Sequence, residues 1–322
     1  MDGSMDLRQL RYFIAIIECG SFSRAALQLN VAQPSLTQHV QKMEAELGAK
    51  LLLRGRSGVS PTEEGALLVE RARAIIGDFG RIREEVASVG REPSGTVRIG
   101  LPTTVSDILS VPLITRCTDL YPGLKIIIAE AMSGFVVDWL TTRRVDIGVV
   151  YAHLSEPELR CQPLLQEELV VLIPNSEKSG DVMPVSALSD RRLILPSSAH
   201  GLRNMLDTVF EAHGLDLLPV IELDSYSNIK RLVEAGYGCS ILPFHAVARE
   251  HAEGKFGVMR VNEPELSRRV YLVQDESRPP TRAAQIVAQL IGEMVGELIA
   301  KGNWPGARDL RRLQPDGESR VD

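Results

Sequence analysis

The sequence of 322 residues has few cysteines and no long apolar segment. Its four cysteines, Cys19, Cys117, Cys161 and Cys239, show neither CxxC nor metal-ligand spacing. This favours reduced core thiols over disulfides, with a redox-active pair as the alternative. No apolar run approaches the roughly 18 residues that suggest a membrane span, and the amino terminus lacks the basic-then-apolar pattern of a signal peptide. We therefore expect a cytoplasmic protein with no membrane partner.

Common catalytic motifs are missing as well. The sequence contains no glycine-rich phosphate loop, no HExxH and no GxSxG, and its six histidines show no ligand spacing. We therefore predict a protein that is not an enzyme and that carries no cofactor or metal ion.

Charge is distributed unevenly along the chain. The net charge is −6, which by itself argues against a nucleic-acid binder. Between Asp6 and Thr62, however, the sequence has seven basic and four acidic side chains, which gives a net charge of +3. A mildly basic head on an acidic body suits sequence-specific DNA binding with limited non-specific adhesion.

The stretch from Ser21 to Gly48 predicts two short helices joined by a turn. An apolar stripe at helical spacing indicates that the second helix runs from residue 33 to 47 and is buried on one side; its members are Leu36, Val40, Met43 and Leu47. Pro34 fits the first turn and Gly48 fits the position after the end. In the first helix, a cap from Ser21 or Ser23 and the small inner residues Ala25 and Ala26 fit a helix-turn-helix.

The polar face of the second helix carries groups that can contact base edges and phosphates. An ordinary helical pair with a solvated polar face is the alternative. Two short strands, 51–53 and 59–61, flank a loop rich in glycine and cations, which predicts a wing beside the phosphate backbone. The predicted DNA-binding residues are Arg24, Gln33, Pro34, Ser35, Thr37, Gln38, Gln41, Lys50, Arg54 and Arg56. Gln33, Ser35, Thr37 and Gln38 are the predicted base readers, whereas Arg24, Lys50 and Arg54 are predicted phosphate contacts.

The next helix, capped by Thr62, has apolar residues that step alternately by four and three. They are Leu68, Ala72, Ile75, Phe79, Ile82, Val86 and Val89. The apolar side chains of such a seam are shielded from water only when another helix packs against them. This favours a dimerising coiled coil over an amphipathic helix that packs on its own domain, and two paired heads would read an interrupted palindrome in double-stranded DNA.

The run from Leu7 to Gly65 resembles the amino-terminal domain of LysR-type transcriptional regulators. The resemblance rests on an opening amphipathic helix followed by GSFSRAAL, QPSLTQ, M-E-x-x-L-G and LLLR…PTEEG. Ala32 departs from the serine that the family often has, which puts a side-chain cap there in doubt. The resemblance implies a regulator that dimerises through its linker helix and forms a tetramer, with RNA polymerase as a candidate partner. The segments SSAHGLR and GYGCSILP are similar to regulators of nitrogen assimilation.

Beyond a hinge at residues 90–95, strands and helices alternate in two successive units, which predicts parallel sheet covered by helices. The resemblance implies a two-lobed sensor like a periplasmic binding protein. The expected fold is therefore α/β with an all-α head. The expected domains are a winged helix-turn-helix (5–62), a linker helix (63–91), an effector domain (92–300) and a mobile tail (301–322). Lobe one is expected at about 95–165 and 268–300, and lobe two at about 166–267. Residues 1–4 are expected to be dispensable.

Ligands of open parallel sheets sit at the carboxyl ends of strands, against helix amino termini. Applied here, the rule predicts effector contacts from Pro102, Thr103, Thr104, Ser133, Tyr151, Ser197, Ser198, His200, Arg203 and Phe244. Hydroxyl and N–H groups there favour a small carboxylate. Each hydroxyl could instead be only a helix cap, and the resemblance implies that they converge between the lobes. The alternative function is a constitutive regulator of the same type, with a vestigial cleft and control by abundance.

Overall fold

The computed structural model describes residues 5–55, 58–88, 92–151, 154, 156–277 and 279–311. Residues 1–4, Arg56, Val89, part of the predicted hinge and residues 312–322 lie outside this set. The chain divides into two compact units between Gly95 and Thr96. Residues 139–144 are grouped with the first unit.

A three-helix head opens the chain. Its elements are α1 (Leu7–Cys19), α2 (Phe22–Leu29), α3 (Gln33–Leu47), β1 (Leu52–Gly55) and β2 (Gly58–Pro61). Asp6 and Gln9 form a capping box at the start of α1, and Ser21 caps α2. Gly20, with φ 60°, ends α1 in the left-handed region that glycine adopts without strain. These caps fix the turns, so that α1, α2 and α3 share one apolar core.

The linker helix α4 (Glu63–Ser88) begins inside that core. Val69 and Ala72 are buried in the head, and Leu68 packs against the same cluster. The predicted seam is therefore wrong at its start, because Leu68 and Ala72 belong to the head of their own chain. Later members of the seam, Ile75 and Phe79 among them, are exposed apolar side chains.

Lobe one contains β3 (Gly95–Leu101), α5 (Thr103–Leu120), β4 (Leu124–Glu130), α6 (Ser133–Thr141), β5 (Ile147–Val150) and α10 (Arg282–Ala300). β3 and β5 are parallel. Helix α10 is long and apolar enough to cross a membrane by length and composition alone. It instead packs through residues such as Val287, Ile291 and Val295 into the lobe-one core.

Lobe two contains β7 (Val182–Met183), β8 (Leu193–Leu195), α7 (Gly201–Glu211), β9 (Pro219–Glu222), α8 (Tyr226–Glu234), β10 (Ser240–Pro243), α9 (Ala248–Ala252) and β11 (Gly257–Val261). β8 and β9 are parallel. A separate apolar core, which runs from Leu169 to Leu266 in sequence, fills this lobe.

Two long antiparallel strands, β6 (Leu159–Ile173) and β12 (Ser267–Asp275), connect the lobes. Within the described residues they lie in a nine-stranded sheet of order β4-β3-β5-β12-β6-β11-β7, in which β10 and a short later strand, β13 (Ala307–Asp309), also pair with β6. The first part of β6 pairs with β12, and its last part pairs with β10 and β11. This continuous strand was predicted only from residue 169 onward.

The expected mobile tail is wrong for residues 301–311. After α10 the chain turns so that Trp304 is 2% exposed, and it then forms β13 (Ala307–Asp309) on the edge of β6. Proline and charge suggested a mobile segment, but burial of one large aromatic ring and a strand pairing order it. Residues 312–322 lie outside the part of the chain that the structure describes.

Candidate functional site

The polar face of α3 is presented to solvent. Gln33, Pro34, Gln38 and Gln41 are exposed, and Ser35 and Thr37 are half-buried. Leu36, Val40 and Met43 are buried on the opposite side, as predicted, whereas Leu47 is 45% exposed. One face of α3 therefore anchors the helix, and the other offers donors and acceptors of the kind that read a major groove.

The start of α3 has no side-chain cap. Ala32 occupies the cap position and its side chain makes no hydrogen bond, which is the consequence expected from its departure from serine. Thr37 Oγ1 donates to the Gln33 carbonyl at 3.4 Å, and Ser23 Oγ donates to Gln33 Oε1 at 3.4 Å. The Gln33 side chain thus links α2 to α3.

Three predicted phosphate contacts lie on α2 and on or just before the wing strand β1. Arg24 is exposed on α2, and the Arg54 guanidinium carbon lies 4.5 Å from the centroid of the Phe22 ring. Lys50 Nζ lies 2.9 Å from Glu44 Oε2, and Glu44 Oε1 accepts the Leu51 N–H at 2.9 Å. Lys50 therefore forms an ion pair with Glu44 just before the first strand of the wing. Arg56 lies outside the described residues.

A cavity of about 810 Å³ lies in the second unit. The amino-terminal ends of α5, α6 and α8 lie at this cavity, because Thr103, Ser133 and Tyr226 line it. The capping residues Pro102 and Ser225 give no side-chain hydrogen bond to α5 or α8. Positive ends of helix dipoles and free N–H groups favour an anion in such a place.

Six of the ten predicted effector contacts line this cavity: Pro102, Thr103, Thr104, Ser133, Tyr151 and His200. Thr104 Oγ1 and the Tyr151 hydroxyl form a short hydrogen bond. Ser133 Oγ is buried and has no hydrogen-bond partner among the described residues. The hydroxyls predicted from strand ends in lobe one are therefore together in the fold.

Four predicted contacts lie away from the cavity lining: Ser197, Ser198, Arg203 and Phe244. Arg203 forms ion pairs with two acidic side chains: its Nε lies 2.8 Å from Asp207 and its Nη1 lies 3.1 Å from Glu222. The Ser197 backbone N–H donates to Asp224 at 2.9 Å. The four residues are therefore not part of the cavity lining, whereas Asp224 and His245, which lie close to them, are.

Two residues that line the cavity, Tyr151 and His245, lie against a buried ion pair between the two crossing strands. Arg268 Nε lies 2.7 Å from Glu167 Oε2, and both side chains are almost fully buried. The Arg268 guanidinium carbon lies 3.5 Å from the centroid of the Tyr151 ring, and one terminal nitrogen of Arg268 has no hydrogen-bond partner among the described residues. His245 Nδ1 lies 3.4 Å from Glu167 Oε1.

Burial lowers the pKa of two cavity histidines and so disfavours their charged forms. Desolvation lowers the pKa of His200, and the positive charge of Arg268 lowers it further against the opposing effect of Asp224. The neutral ring fits its hydrogen bond, since His200 Nδ1 accepts the Leu202 N–H at 3.1 Å. Desolvation likewise lowers the pKa of His245, although Glu167 opposes that shift.

Sequence reasoning missed Asp224, Tyr226 and His245 although the same strand-end rule could have found them. They follow β9 and β10, and each lines the cavity. Glu167 and Arg268 gave no such signal, because both lie within crossing strands and pair only through the register Arg268↔Glu167.

The chain matches two descriptions of one bacterial family. Residues 7–66 match "Bacterial regulatory helix-turn-helix protein, lysR family", and residues 90–296 match "LysR substrate binding domain". The nitrogen assimilation regulatory protein nac of Escherichia coli (strain K12) is 31% identical over 82% of this chain and 86% of that protein. This relative agrees with the predicted subgroup.

Solved structures have the same architecture. A full-length OxyR variant from Pseudomonas aeruginosa superposes with a TM-score of 0.69 at 28% identity, covering 90% of this chain and 98% of that chain. Full-length CbnR in complex with its target DNA has a TM-score of 0.68 at 22% identity, covering 90% and 100%, and supports the fold alone. The predicted fold class and regulatory function are confirmed, and the chain belongs to the LysR family of DNA-binding transcriptional regulators.

Proposed function

We propose that this regulator acts in the cytoplasm as a homotetramer that reads an interrupted palindrome and responds to a small carboxylate. The observation that carries the DNA-binding part is the exposed face of α3, whose polar groups stand opposite a buried stripe. Gln33, Ser35, Thr37 and Gln38 are the proposed readers, and Arg24, Lys50 and Arg54 contact phosphates. Pro34 and Gln41 flank the readers on the same face.

Exposed apolar surfaces support self-association. On α4, Phe79 is 41% exposed, and Ile75, Ile82 and Val86 continue the same seam, which a second α4 would cover. On the second unit, Val111 of α5 and Val220 of β9 are also exposed and suit a second interface between lobes of neighbouring chains. Two different interfaces per chain give a tetramer. A tetramer bound at a promoter can also present a surface to RNA polymerase.

The cavity supports control by a small anion. Three features converge on it: helix amino termini without side-chain caps, the buried His245 ring, and the Ser133 hydroxyl, which has no partner in the part of the chain that the structure describes. A carboxylate would supply acceptors for these donors and would interact with the positive helix ends. Asp107 and Asp224 also line the cavity, and they would discriminate against ligands with carboxylates at both ends.

A thermal-shift screen of carboxylates on the full chain tests this proposal. A ligand that binds the folded protein raises its melting temperature in proportion to RT ln(1 + [L]/Kd). Ser133→Phe should fill the cavity and abolish the shift, while operator binding is kept because α3 is untouched. Ser198→Phe is the matched control, since Ser198 is exposed and off the cavity lining, and it should retain the shift.

Two results would contradict the carboxylate proposal. A Ser133→Phe protein that responds normally would place the ligand elsewhere. A broad screen with no stabilising carboxylate would favour the constitutive regulator with a vestigial cleft, whose output follows abundance.

A further inference from the structure

The segment that follows α10, residues 301–311, lies against the crossing strand β6 and lobe two, and we call it the carboxyl-terminal strap. β13 pairs with β6 through Ala307↔Glu167 and Asp309↔Leu165, and the Gly306 carbonyl accepts the Glu168 N–H at 2.8 Å. A side chain at Gly306 would come within 3.0 Å of Phe244 in lobe two. The strap is therefore packed at the junction of the lobes.

Its far end is tied back to lobe one. Arg311 Nη2 lies 2.7 Å from Asp309 Oδ2, and Arg311 also donates to the Gly292 carbonyl of α10. An ion pair this shielded holds its geometry better than an exposed one. Both ends of the strap are thus fixed, with Trp304 between them.

Trp304 makes the contact that matters for the cavity. Its Nε1 donates to Glu167 Oε1 at 3.2 Å, while the other carboxylate oxygen, Oε2, accepts from Arg268 Nε at 2.7 Å. Glu167 is 1% exposed and Arg268 is 5% exposed. A buried carboxylate depends on such donors, because each unsatisfied oxygen lone pair is costly in a dry site.

The same carboxylate reaches the cavity wall on two sides. Arg268 stacks on the ring of Tyr151, which lines the cavity. His245, another lining residue, has its Nδ1 3.4 Å from Glu167 Oε1, the oxygen that Trp304 occupies. The His245 and Trp304 rings pack edge to face, with centroids 5.8 Å apart.

We propose that Trp304 is a positioning residue for the effector cavity: by occupying Glu167 Oε1 it directs Glu167 toward Arg268 and fixes the Tyr151 and His245 walls. The strap then holds the Tyr151 and His245 side of the cavity in place. The inference rests on the proposed function only in naming the cavity an effector site.

The ionisation of His245 reports this arrangement without any ligand. The groups that act on His245 are Glu167 of β6, Arg268 of β12, Asp107 of α5 and the Thr104 backbone. When Trp304 no longer donates to Glu167 Oε1, this oxygen can accept a hydrogen bond from protonated His245. The pKa of His245 should then rise. When Glu167 loses its charge, Arg268 is left uncompensated near the ring, and the pKa should fall.

The experiment is NMR titration of the full chain carrying ¹³C-labelled histidine, with the His245 signal assigned through His245→Gln. Trp304→Phe keeps a buried ring but removes the N–H, and should raise the His245 pKa by about 0.5 or more. Glu167→Gln keeps the side-chain volume and should lower it. Arg308→Ala is the matched control in the strap, because Arg308 pairs with exposed Glu265, and should leave the pKa unchanged.

A strap that merely stabilises the fold gives a different pattern. Loosening then hydrates His245 in both variants, so the His245 pKa rises in Trp304→Phe and in Glu167→Gln alike, and that result would overturn the proposal. An unchanged His245 pKa in Trp304→Phe would overturn it as well. If Trp304→Phe does not fold, Trp304→Leu, which also lacks the indole N–H, replaces it and should show the same rise of the His245 pKa. Because no ligand is used, the result is independent of the carboxylate screen.

Discussion

Thr37 and Gln38 are the two residues on which base reading depends most in this account. They lie in the first turns of α3, on the face opposite Leu36 and Val40, where a helix docked in the major groove brings its amino-terminal side chains to base edges. A specific base contact contributes about 1–3 kcal/mol of discrimination.

We therefore expect Thr37→Ala combined with Gln38→Ala to lose about 1–3 kcal/mol of discrimination at one base position in each half-site. Competition binding with operators substituted at single positions measures this loss. Arg24→Ala is the control, since loss of a phosphate contact should weaken all sequences about equally and reduce the salt dependence. Unchanged base preferences in the double variant would reject these readers.

We expect Glu44 to make the stability of the head depend on pH. Burial alone would raise its pKa, but hydrogen bonds from Lys50 and the Leu51 N–H outweigh it and lower the pKa below the ordinary value. The folded form therefore prefers the carboxylate. Its contribution is complete above the unfolded pKa of about 4.5 and is lost as pH falls through the lower folded value.

Glu44→Gln should accordingly destabilise the head by about 1–2 kcal/mol at pH 7, and the difference from wild type should shrink below about pH 4. Urea denaturation of the fragment 1–88 at a series of pH values measures it. Glu64→Gln is the control, because Glu64 is exposed on α4 and should change stability by less than about 0.5 kcal/mol. A difference that grows toward acid would contradict the assignment.

How far the site could be predicted depends on whether a residue's role is local. Ser133 and Tyr151 follow strands directly, so a rule about strand ends placed them correctly at the cavity. Arg203 does not line the cavity, because its side chain pairs with Asp207 and Glu222, and residue spacing does not reveal such pairs. Arg268 was missed because its pairing with Glu167 depends on strand register across about 100 residues of chain.

At the scale of elements, the apolar residues of α4 change from buried to exposed along the helix. Its first turns bury Val69 and Ala72 in the head, whereas Phe79 and Ile82 are exposed. The periodicity predicted one continuous seam because burial against the chain's own head and burial against a partner require the same spacing.

Phe79→Asp should therefore separate the chains at α4, since a charge would be buried against a partner helix without a counter-ion. Sedimentation of the full chain should show dimers instead of tetramers, because the proposed interface between lobes would remain. Arg71→Asp, on an exposed part of the same helix, is the control and should stay tetrameric. A tetrameric Phe79→Asp protein would exclude this seam as an interface.

The elements themselves were largely predictable, and the exceptions share a cause. Helices such as α3 and α10 carry their own periodicity and ends, so they were found within a few residues. β13 was not found, because three residues of a polar segment become a strand only when the edge of β6 is available to pair with them. Tertiary pairing, not local propensity, decides such short strands.

At the scale of the molecule, the proposed pairing of two heads through α4 would have a direct consequence for the DNA sequence. A twofold arrangement places two α3 helices in major grooves one helical turn or a multiple of it apart, so the operator must mirror that symmetry. Operator symmetry thus depends jointly on the readers, the head and the seam.

Selection of bound sequences from a random DNA pool by the full chain tests this most directly. We expect two inverted half-sites whose centres are about 10 bp, or a multiple of that spacing, apart. The same selection with Phe79→Asp should enrich the half-site with weaker or variable spacing. Enrichment of a single half-site without an inverted repeat by the wild-type protein, or no enrichment at all, would contradict paired reading by α3.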